Sequence, residues 1–238
     1  MSTSRDYGFT FNGHHSSEFG LKVLSTKTYT LPAKNKVTVQ LPYSNGLVDL
    51  SGVYGGPYFG ERTMTFVCRL PFGDVTYTYA DSKITKIINW LMSTAGKTQL
   101  IDDVNQEFYY MGEVQEAPVV TGGSVFTDIS IVFTCYPYRF HERADDLWDP
   151  FNFDWDVAQR TTIDVNGSSY IKLINNGETA VTLMIETDGE LTLTLNGDTF
   201  SVAQGSTNND EIMLNPGENS LMITGNAHVM FDWFEEVI

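Results

Sequence analysis

The chain has 238 residues, of which 42% are hydrophobic and 13% aromatic, and its formal net charge is −16 at pH 7. This apolar content suffices for packed cores and excludes an intrinsically disordered chain, while the length fits two domains of ordinary size. No run of about 18 apolar residues occurs, so the sequence predicts no helix that crosses a membrane. The first residues lack the apolar stretch of a signal peptide. We therefore expect a protein that is made and folded in a cytoplasm.

The charge is distributed unevenly along the chain. Residues 1–140 hold 11 Lys or Arg and 12 Asp or Glu, whereas residues 141–238 hold 3 and 18. This asymmetry predicts a first domain over 1–140, an acidic and aromatic junction over 141–160, and a second domain over 161–238. Because acidic surfaces repel phosphate backbones, we expect no specific nucleic-acid binding, although solubility alone also accounts for the acid.

The chain begins with two predicted strands around an Asn12-Gly13 hairpin signal. His14 and His15 follow this turn, and Ser16 and Ser17 lie beside them. A Ser/His pair is compatible with a hydrolase, but the sequence shows neither a nucleophile-elbow motif nor an acidic partner. We therefore predict solvated turn histidines without a catalytic role.

The stretch from Tyr43 to Leu70 joins a glycine-rich loop to an alternating strand. Met64, Phe66 and Cys68 share one parity with Leu70, as a strand with one buried face requires. The apolar residues of the loop follow no period, and exposing them would be costly for a soluble monomer. Either a neighbouring subunit covers them, or the loop folds back on its own core. The candidate interface residues are Leu47, Val48, Leu50, Val53, Tyr54, Pro57, Tyr58 and Phe59.

One amphipathic helix is predicted at about residues 82–95, after a short strand-like segment at Thr76–Tyr79. Asp81 or Ser82 can cap its start, and Gly96 lies where a left-handed residue would end it. We interpret this helix as structural, packed on a sheet. Its apolar face has helical spacing and consists of Ile84, Ile87, Ile88, Leu91 and Met92.

Several further strands complete a first domain that is all β apart from this helix. Cys68 and Cys135 are in core phase on two of its strands, where a thiol behaves as a small hydrophobic group. Two cysteines alone do not form a zinc site, and we do not favour a disulfide. The strands around these elements include Val37, Val39 and Leu41 in alternation, and the segments 98–101, 107–114, 117–121 and 124–136.

The junction is rich in aspartate and in aromatic residues. Its acids do not follow the spaced ladder of a calcium-binding loop. Trp148 and Trp155 could stack on a sugar, whereas the plainer interpretation is a linker whose aromatic side chains dock on the domains.

From residue 161 onward, short strands alternate with turn signals such as Asn166-Gly167, Asn196-Gly197 and Gly225-Asn226. This pattern predicts an antiparallel β-sandwich of the jelly-roll type. The predicted strands are Thr161–Val165, Ser169–Ile174, Val181–Thr187, Glu190–Leu195, Thr199–Val202, Glu211–Leu214, Ser220–Thr224 and His228–Phe234.

Motifs for catalysis or cofactor binding are absent from the sequence. It contains no phosphate-binding glycine loop, no dinucleotide fingerprint and no His-Glu-x-x-His motif. Carboxylate pairs for glycoside hydrolysis are defined by a distance in space, which the sequence does not test. We predict that the protein is not an enzyme, with no cofactor and no metal.

Segments along nearly the whole chain resemble one known family. The first domain contributes FTFNGHHSSEFGLKVL, LVDLSGVYGGPYFGERTMTFVCRL and ITKIINWLMSTAGKTQLI, and the second contributes SSYIKLINNGETAVTLMIET, EIMLNPGENSLMITG and VMFDWFEEVI. Their order and spacing resemble the distal tail protein (Dit) of siphophages that infect Gram-positive bacteria.

The resemblance implies a fold and a function. The N-terminal domain is expected to be a tail-tube-like β-barrel or split barrel with one helix, and the C-terminal domain a galectin-like β-sandwich. Six copies would form a ring, alone or stacked, in the tail tip or baseplate of a virion assembled in the host bacterial cytoplasm. The implied partners are the tail tube protein, a tip protein like the tail-associated lysin, and receptor-binding or baseplate proteins. DNA would pass the lumen, and no membrane is involved.

Two other functions are alternatives to a structural hub that serves host attachment. The first is a carbohydrate-binding adhesin that contacts host cell-wall sugars through the second domain, Trp148 and Trp155. The second is a hydrolase of cell-wall polymers. The length leaves no room for the carbohydrate-binding domains inserted in long members of the family, so direct sugar binding is the alternative rather than the main hypothesis.

Overall fold

The computed structural model describes residues 7–25, 27–43, 45–53, 55, 57–71, 77–122, 126–141 and 152–238. The chain divides into two units. The first runs up to Arg139 and also includes Ile238, and the second runs from Phe140 to Val237. The elements that begin in the first unit are β1 (Phe9–Phe11), β2 (His14–His15), a 3-10 turn (Ser16–Phe19), β3 (Lys22–Val23), β4 (Thr28–Tyr29), β5 (Thr38–Gln40), β6 (Leu47–Asp49), β7 (Arg62–Pro71), α1 (Tyr77–Met92), β8 (Thr98–Asp102), β9 (Phe108–Glu113), β10 (Val119–Gly122) and β11 (Phe126–His141).

Every secondary-structure element described in the second unit is a strand. They are β12 (Thr162–Asn175), β13 (Val181–Thr187), β14 (Leu191–Leu195), β15 (Asp198–Val202), β16 (Gly205–Leu214), β17 (Gly217–Asp232) and β18 (Glu235–Val237). The expectation of an all-β fold with one helix is therefore confirmed for the described residues.

The sheet of the first unit follows the order β2-β1-β8-β9-β11-β7-β3, with β10 on β11 and β4 on β7. Its longest ladder is antiparallel and runs from Phe126↔Pro71 to Cys135↔Arg62. Along β7 every second residue is buried, so the predicted alternation is confirmed. Its inward face forms an aromatic core, in which the rings of Phe9 and Phe66 lie 4.6 Å apart.

Helix α1 covers this core, but its bounds differ from the prediction. Tyr77 begins the helix, so the strand predicted at Thr76–Tyr79 is wrong for its described part, and Thr76 lies outside the described residues. Ala80 is buried and extends the apolar face by one turn toward the N-terminus. Burial of Ala80 favours the helix here over the weak helix propensity of Tyr and Thr.

The predicted caps of α1 are wrong at both ends. Asp81 and Ser82 lie inside the helix, and Gly96 lies beyond its end at Met92. The buried face of α1 also differs from the set of residues predicted for it. Trp90 is buried and donates its indole N–H to the carbonyl oxygen of Phe11 at 3.1 Å, whereas Met92 is exposed.

In the second unit, two predicted turns are wrong. Asn166-Gly167 and Gly225-Asn226 face each other inside one antiparallel ladder, in which β12 and β17 pair from Thr162↔Met230 to Asn175↔Gly217. Gly225 has a φ of +151°, and a Cβ there would lie 2.9 Å from the carbonyl oxygen of Glu190. Glycine is thus needed for a close approach of β14 within the sheet, not for a chain reversal.

The remaining strands of the second unit pair in the order β15-β14-β17-β13-β16, with β12 on β17. Asn196-Gly197 does form a two-residue hairpin between β14 and β15, since both residues have positive φ and Leu195 pairs with Asp198. The core of this unit is aliphatic apart from Phe231, Trp233 and the half-buried Phe200 packed against it.

Both cysteines are free and buried on the first sheet. Cys68 pairs with Ile129 and Cys135 with Arg62, at distant points of the β7–β11 ladder. Burial raises the pKa of each thiol to about 12. We expect neither thiol to react with a disulfide reagent such as DTNB at pH 8 in the native protein, and both to react at once in urea. Rapid labelling of the native protein would show that the sheet opens locally.

Candidate functional site

The described residues between 30 and 60 form a hairpin-shaped extension of the first sheet, which we call the arm. At its root, the amide of Thr30 donates to the carbonyl oxygen of Thr63 at 2.9 Å, which continues the pairing of β4 with β7. Farther out, the amide of Gly60 donates to Ala33 at 2.8 Å, and that of Asn35 donates to Tyr58 at 2.7 Å. The outgoing and returning segments of the arm therefore stay hydrogen-bonded to each other as they leave the sheet.

The tip of the arm is a two-stranded sheet made by β5 and β6. Val39 lies opposite Val48, and Gln40 lies opposite Leu47. The amide of Leu50 donates to the carbonyl oxygen of Val37 at 2.8 Å and extends the ladder by one pair. Because side chains alternate between the faces of a strand, Val37, Val39, Val48 and Leu50 share one face of the tip. We call these four residues the apolar face.

Polar contacts fix the register of the tip. Lys36 Nζ lies 2.9 Å from Asp49 Oδ2, and the amide of Val37 donates to Ser51 Oγ at 2.8 Å. Hydrogen bonds from Ser51, with Lys36 next, hold the pKa of the Asp49 carboxyl well below its usual range. This ion pair is exposed, so it defines geometry more than it adds stability.

The arm is not covered by the rest of the described chain. Every described residue from 33 to 58 is exposed except Ser51, which is half-buried. Val37 is 57% exposed, and both core clusters consist of residues outside the arm. A loop folded back on its own core, which the sequence left open, is therefore not what the described residues form.

The candidate interface residues are distributed along one strand of this arm. Leu47, Val48 and Leu50 lie at the tip, Val53, Pro57 and Tyr58 lie on the return path and are exposed, and Tyr54 lies outside the described residues. Phe59 is half-buried, and its ring centroid lies 5.7 Å from that of Tyr138. These positions are compatible with an interface, which stays a prediction.

Sequence reasoning missed the opposite strand of the arm. Val37, Val39 and Leu41 alternate in the sequence, and this signal predicted a strand but not an exposed one. Only the pairing of Val39 with Val48 shows that the apolar side chains of β5 and those of β6 lie on the same face.

His15 is buried, so the prediction of a solvated histidine is wrong at this position. Its Nδ1 lies 2.6 Å from Ser17 Oγ, and its Nε2 lies 3.0 Å from Asp103 Oδ2, 88 residues away. Ser17 also directs its backbone amide at the same Nδ1, and Glu18 accepts from the amide of His15. The ring thus caps the 3-10 turn, and we interpret the cluster as a capping box rather than as a nucleophile with its base.

The junction offers no ready sugar platform among its described residues. Trp148 lies outside them, and Trp155 is half-buried, with its ring centroid 6.3 Å from that of His141. Its carbonyl oxygen accepts from Asn176 Nδ2 at 3.0 Å. Where the structure describes side chains, no group of three or more His, Cys, Asp or Glu is arranged to hold a metal ion. Nor does the described part of the chain contain a helix suited to crossing a bilayer.

Comparisons with known proteins show the fold. No protein-family model matches the sequence, and no curated protein matches it. Among solved structures, the chain is similar to the crystal structure of Dit (gp 19.1) of SPP1, described as a paradigm of the hub of the adsorption apparatus in phages infecting Gram-positive bacteria. The TM-score is 0.64 at 14% sequence identity, covering 98% of this chain and 99% of that chain. The chain therefore has a Dit-like fold.

Proposed function

We propose that this protein is a structural hub of a phage tail tip, which acts by assembly rather than by catalysis. Its Dit-like fold over 98% of the chain supports this function, since the similar protein is a hub of an adsorption apparatus. The proposed location is the tail tip of a virion, after assembly in the cytoplasm of the bacterial host.

The observation that carries the proposal is the exposed arm. A two-stranded hairpin is marginally stable in water by itself, and this one presents Val37, Val39, Val48 and Leu50 on one face. Covering that face with a partner would remove its apolar surface from water and hold the hairpin. The occupant that we propose is a second copy of this chain, because the arm leaves the same sheet in every copy and can reach forward to the next one.

Contacts of this kind are head-to-tail, so they close into a ring when the rotation between copies allows it. We propose a ring of six copies formed by the first units, alone or stacked. The second unit, as a galectin-like sandwich, would project as a docking module. The tail tube protein, a tip protein and receptor-binding or baseplate proteins would bind this ring, and DNA would pass its lumen.

The apolar face is testable by charge insertion. We expect Val39→Asp and Val48→Asp to lower the assembled mass measured by light scattering, because a buried, unpaired carboxylate opposes the contact. Thermal stability of the separate chain should change little, since both side chains already contact water. Negative-stain micrographs of the unmodified protein should show six-fold rings.

The matched control is Gln40→Asp, which places the same charge on the opposite face of the same strand. It should assemble like the unmodified chain. An unmodified protein that stays monomeric at all concentrations, alone and with tail proteins, would contradict the proposal. So would a collapse of the melting temperature in Val39→Asp, because the arm would then belong to a core.

A further inference from the structure

The apolar face of the arm is one of the two surfaces that a head-to-tail contact needs, because such a contact joins two different parts of the chain. It is one face of a two-stranded sheet, and its four side chains are exposed. The surface that receives it has to be apolar and exposed as well, and wide enough for a sheet face to pack on it.

A face of this kind lies on the first sheet, where β11 runs between β10 and β7. Val119 of β10 lies opposite Ser130 of β11, and Ser130 lies opposite Val67 of β7 on its other side. Opposed residues share a face of a sheet, and so does every second residue along a strand. Phe126 and Val132 of β11 therefore belong to this face. We call Val67, Val119, Phe126 and Val132 the outer patch.

The outer patch faces away from the core of the first sheet. Val119 is 65% exposed, Phe126 and Val132 are each 38% exposed, and Val67 is half-buried. None of the four belongs to the core cluster that α1 covers. Single exposed valines are ordinary, whereas neighbouring strands that together present apolar side chains to water are typical of a protein–protein contact.

One ion pair lies within the outer patch. Arg69 donates from Nε and Nη2 to the two carboxylate oxygens of Asp128, at 2.7 Å and 2.9 Å. Its guanidinium carbon lies 3.8 Å from the ring centroid of Phe126. The two charges are thus paired inside the patch, so an apolar partner can cover them without leaving either one unpaired. Arginine and aromatic side chains are also enriched at the centres of interfaces.

The apolar face of the arm matches the outer patch in chemistry. Each surface presents four apolar side chains, and the charged pair of the arm tip, Lys36 and Asp49, has the opposite parity to Val48 and Leu50. Sheet faces that carry apolar side chains pack by interdigitation at a distance of about 10 Å. A chain's own arm does not cover its own patch, since both surfaces are exposed in one chain.

We propose that the outer patch of one copy binds the apolar face of the arm of the next copy. Each chain then gives its arm to one neighbour and accepts an arm from the other, which is the arrangement that a closed ring requires. The contact rests on the proposed ring, and it names the surface that receives the arm. Burial of both apolar surfaces supplies the free energy of association.

Mixing two defective variants tests this contact. The first variant, Val39→Asp with Val48→Asp, has a damaged arm and an intact patch, and the second, Val119→Asp with Val132→Asp, has the reverse. In light scattering each variant alone should be a monomer, because a carboxylate buried in the contact opposes it. An equimolar mixture should contain dimers, since one sound contact remains possible between the two variants. A mixture that stays monomeric would overturn the proposal.

The matched control is Val104→Asp, the same substitution at a valine that is 71% exposed and lies outside the arm and the outer patch. It should assemble like the unmodified chain. Both double variants should keep the melting temperature of the unmodified chain, because their substituted side chains already contact water. Loss of assembly in Val104→Asp would mean that added charge alone prevents the contact, and would count against the patch.

Disulfide trapping locates the contact. Chains with Val39→Cys and chains with Val119→Cys are mixed, oxidised and alkylated before electrophoresis, while the native cysteines stay buried. With Gln40→Cys in place of Val39→Cys, the yield of linked dimers should fall about tenfold, because a disulfide needs Cα atoms within about 7 Å of each other. Linked dimers from Val39→Cys chains alone would show that the arm packs on another arm, and would refute the outer patch.

The outcomes separate this contact from the proposed function. Full assembly of the variant with the damaged patch, together with loss of assembly in the variant with the damaged arm, would show that the arm binds another surface. The outer patch would then be wrong while the proposed ring stands. An unmodified chain that stays monomeric at all concentrations, alone and with tail proteins, would contradict both.

Discussion

Replacing His141 with alanine is expected to lower the free energy of unfolding by about 3–5 kcal/mol. The ring is almost fully buried, with Nδ1 at 3.3 Å from Glu235 Oε2 and Nε2 at 3.6 Å from Asp156 Oδ1. Both carboxylates are themselves buried. Removing the ring takes a polar partner away from each of two buried carboxylates in a region of low dielectric, which is more costly than losing a surface ion pair.

Urea unfolding followed by tryptophan fluorescence measures this loss. Adding Glu235→Gln to His141→Ala should recover part of the stability, because a neutral amide then replaces one of the two carboxylates. A loss below about 1 kcal/mol in His141→Ala would contradict the expectation and mean that water reaches both carboxylates.

The matched control for His141 is His228→Ala in the same unit. His228 Nδ1 lies 2.6 Å from Asp164 Oδ1, but both side chains are exposed. The hydrogen bond to Asp164 raises the pKa of His228, so its small contribution is present at low pH and fades as the pH rises through that raised pKa. At pH 8 we expect His228→Ala to unfold like the unmodified protein, in contrast to His141→Ala.

Truncating Phe133 to alanine is expected to cost about 3–5 kcal/mol, by loss of apolar contact and by the cavity left behind. Phe133 lies on β11 and is completely buried. Its ring centroid lies 4.9 Å from that of Phe11, 5.5 Å from Phe9 and 6.0 Å from Phe66. The ring thus connects β11 with β1 and β7, and few neighbours can move into the space that it fills.

Urea unfolding gives the cost, and amide hydrogen exchange shows where it arises. The amides of β7 should exchange faster in Phe133→Ala, because their strand pairs directly with β11. Val132→Ala is the matched control, since Val132 is the neighbouring residue on the other face and is 38% exposed. Equal losses in the two variants would mean that the aromatic cluster is not the core of this sheet.

Much of the fold could be predicted from local pattern. The alternation from Met64 to Leu70 predicted a strand with one buried face, and the structure has it. Asn196-Gly197 predicted a tight hairpin correctly, because that turn depends on the φ values of two adjacent residues. The same kind of signal failed at Asn166-Gly167, where pairing with β17 carries the strand past the glycine.

The candidate sites were harder to predict from the sequence than the fold. Apolar residues such as Leu47 and Val53 were identified in the sequence, but the arm becomes visible only when β5 pairs with β6. The acidic partner of His15 comes from Asp103, and no pattern near His15 indicates it. Arg62 has the sequence position of an ordinary strand start, but the structure buries it, and its Nη1 donates to the distant carbonyl oxygen of Pro137.

By itself the sequence determined the type of most elements, the apolar loop and the resemblance to Dit, since these depend on residues that are close along the chain. The tertiary structure decided the register of β12 on β17, the start of α1, the exposure of the arm and the burial of Arg62. These features depend on which residues far apart in the sequence come close in space and on how much water remains around them. Burial and long-range pairing set those energies, and neither is a property of a local segment.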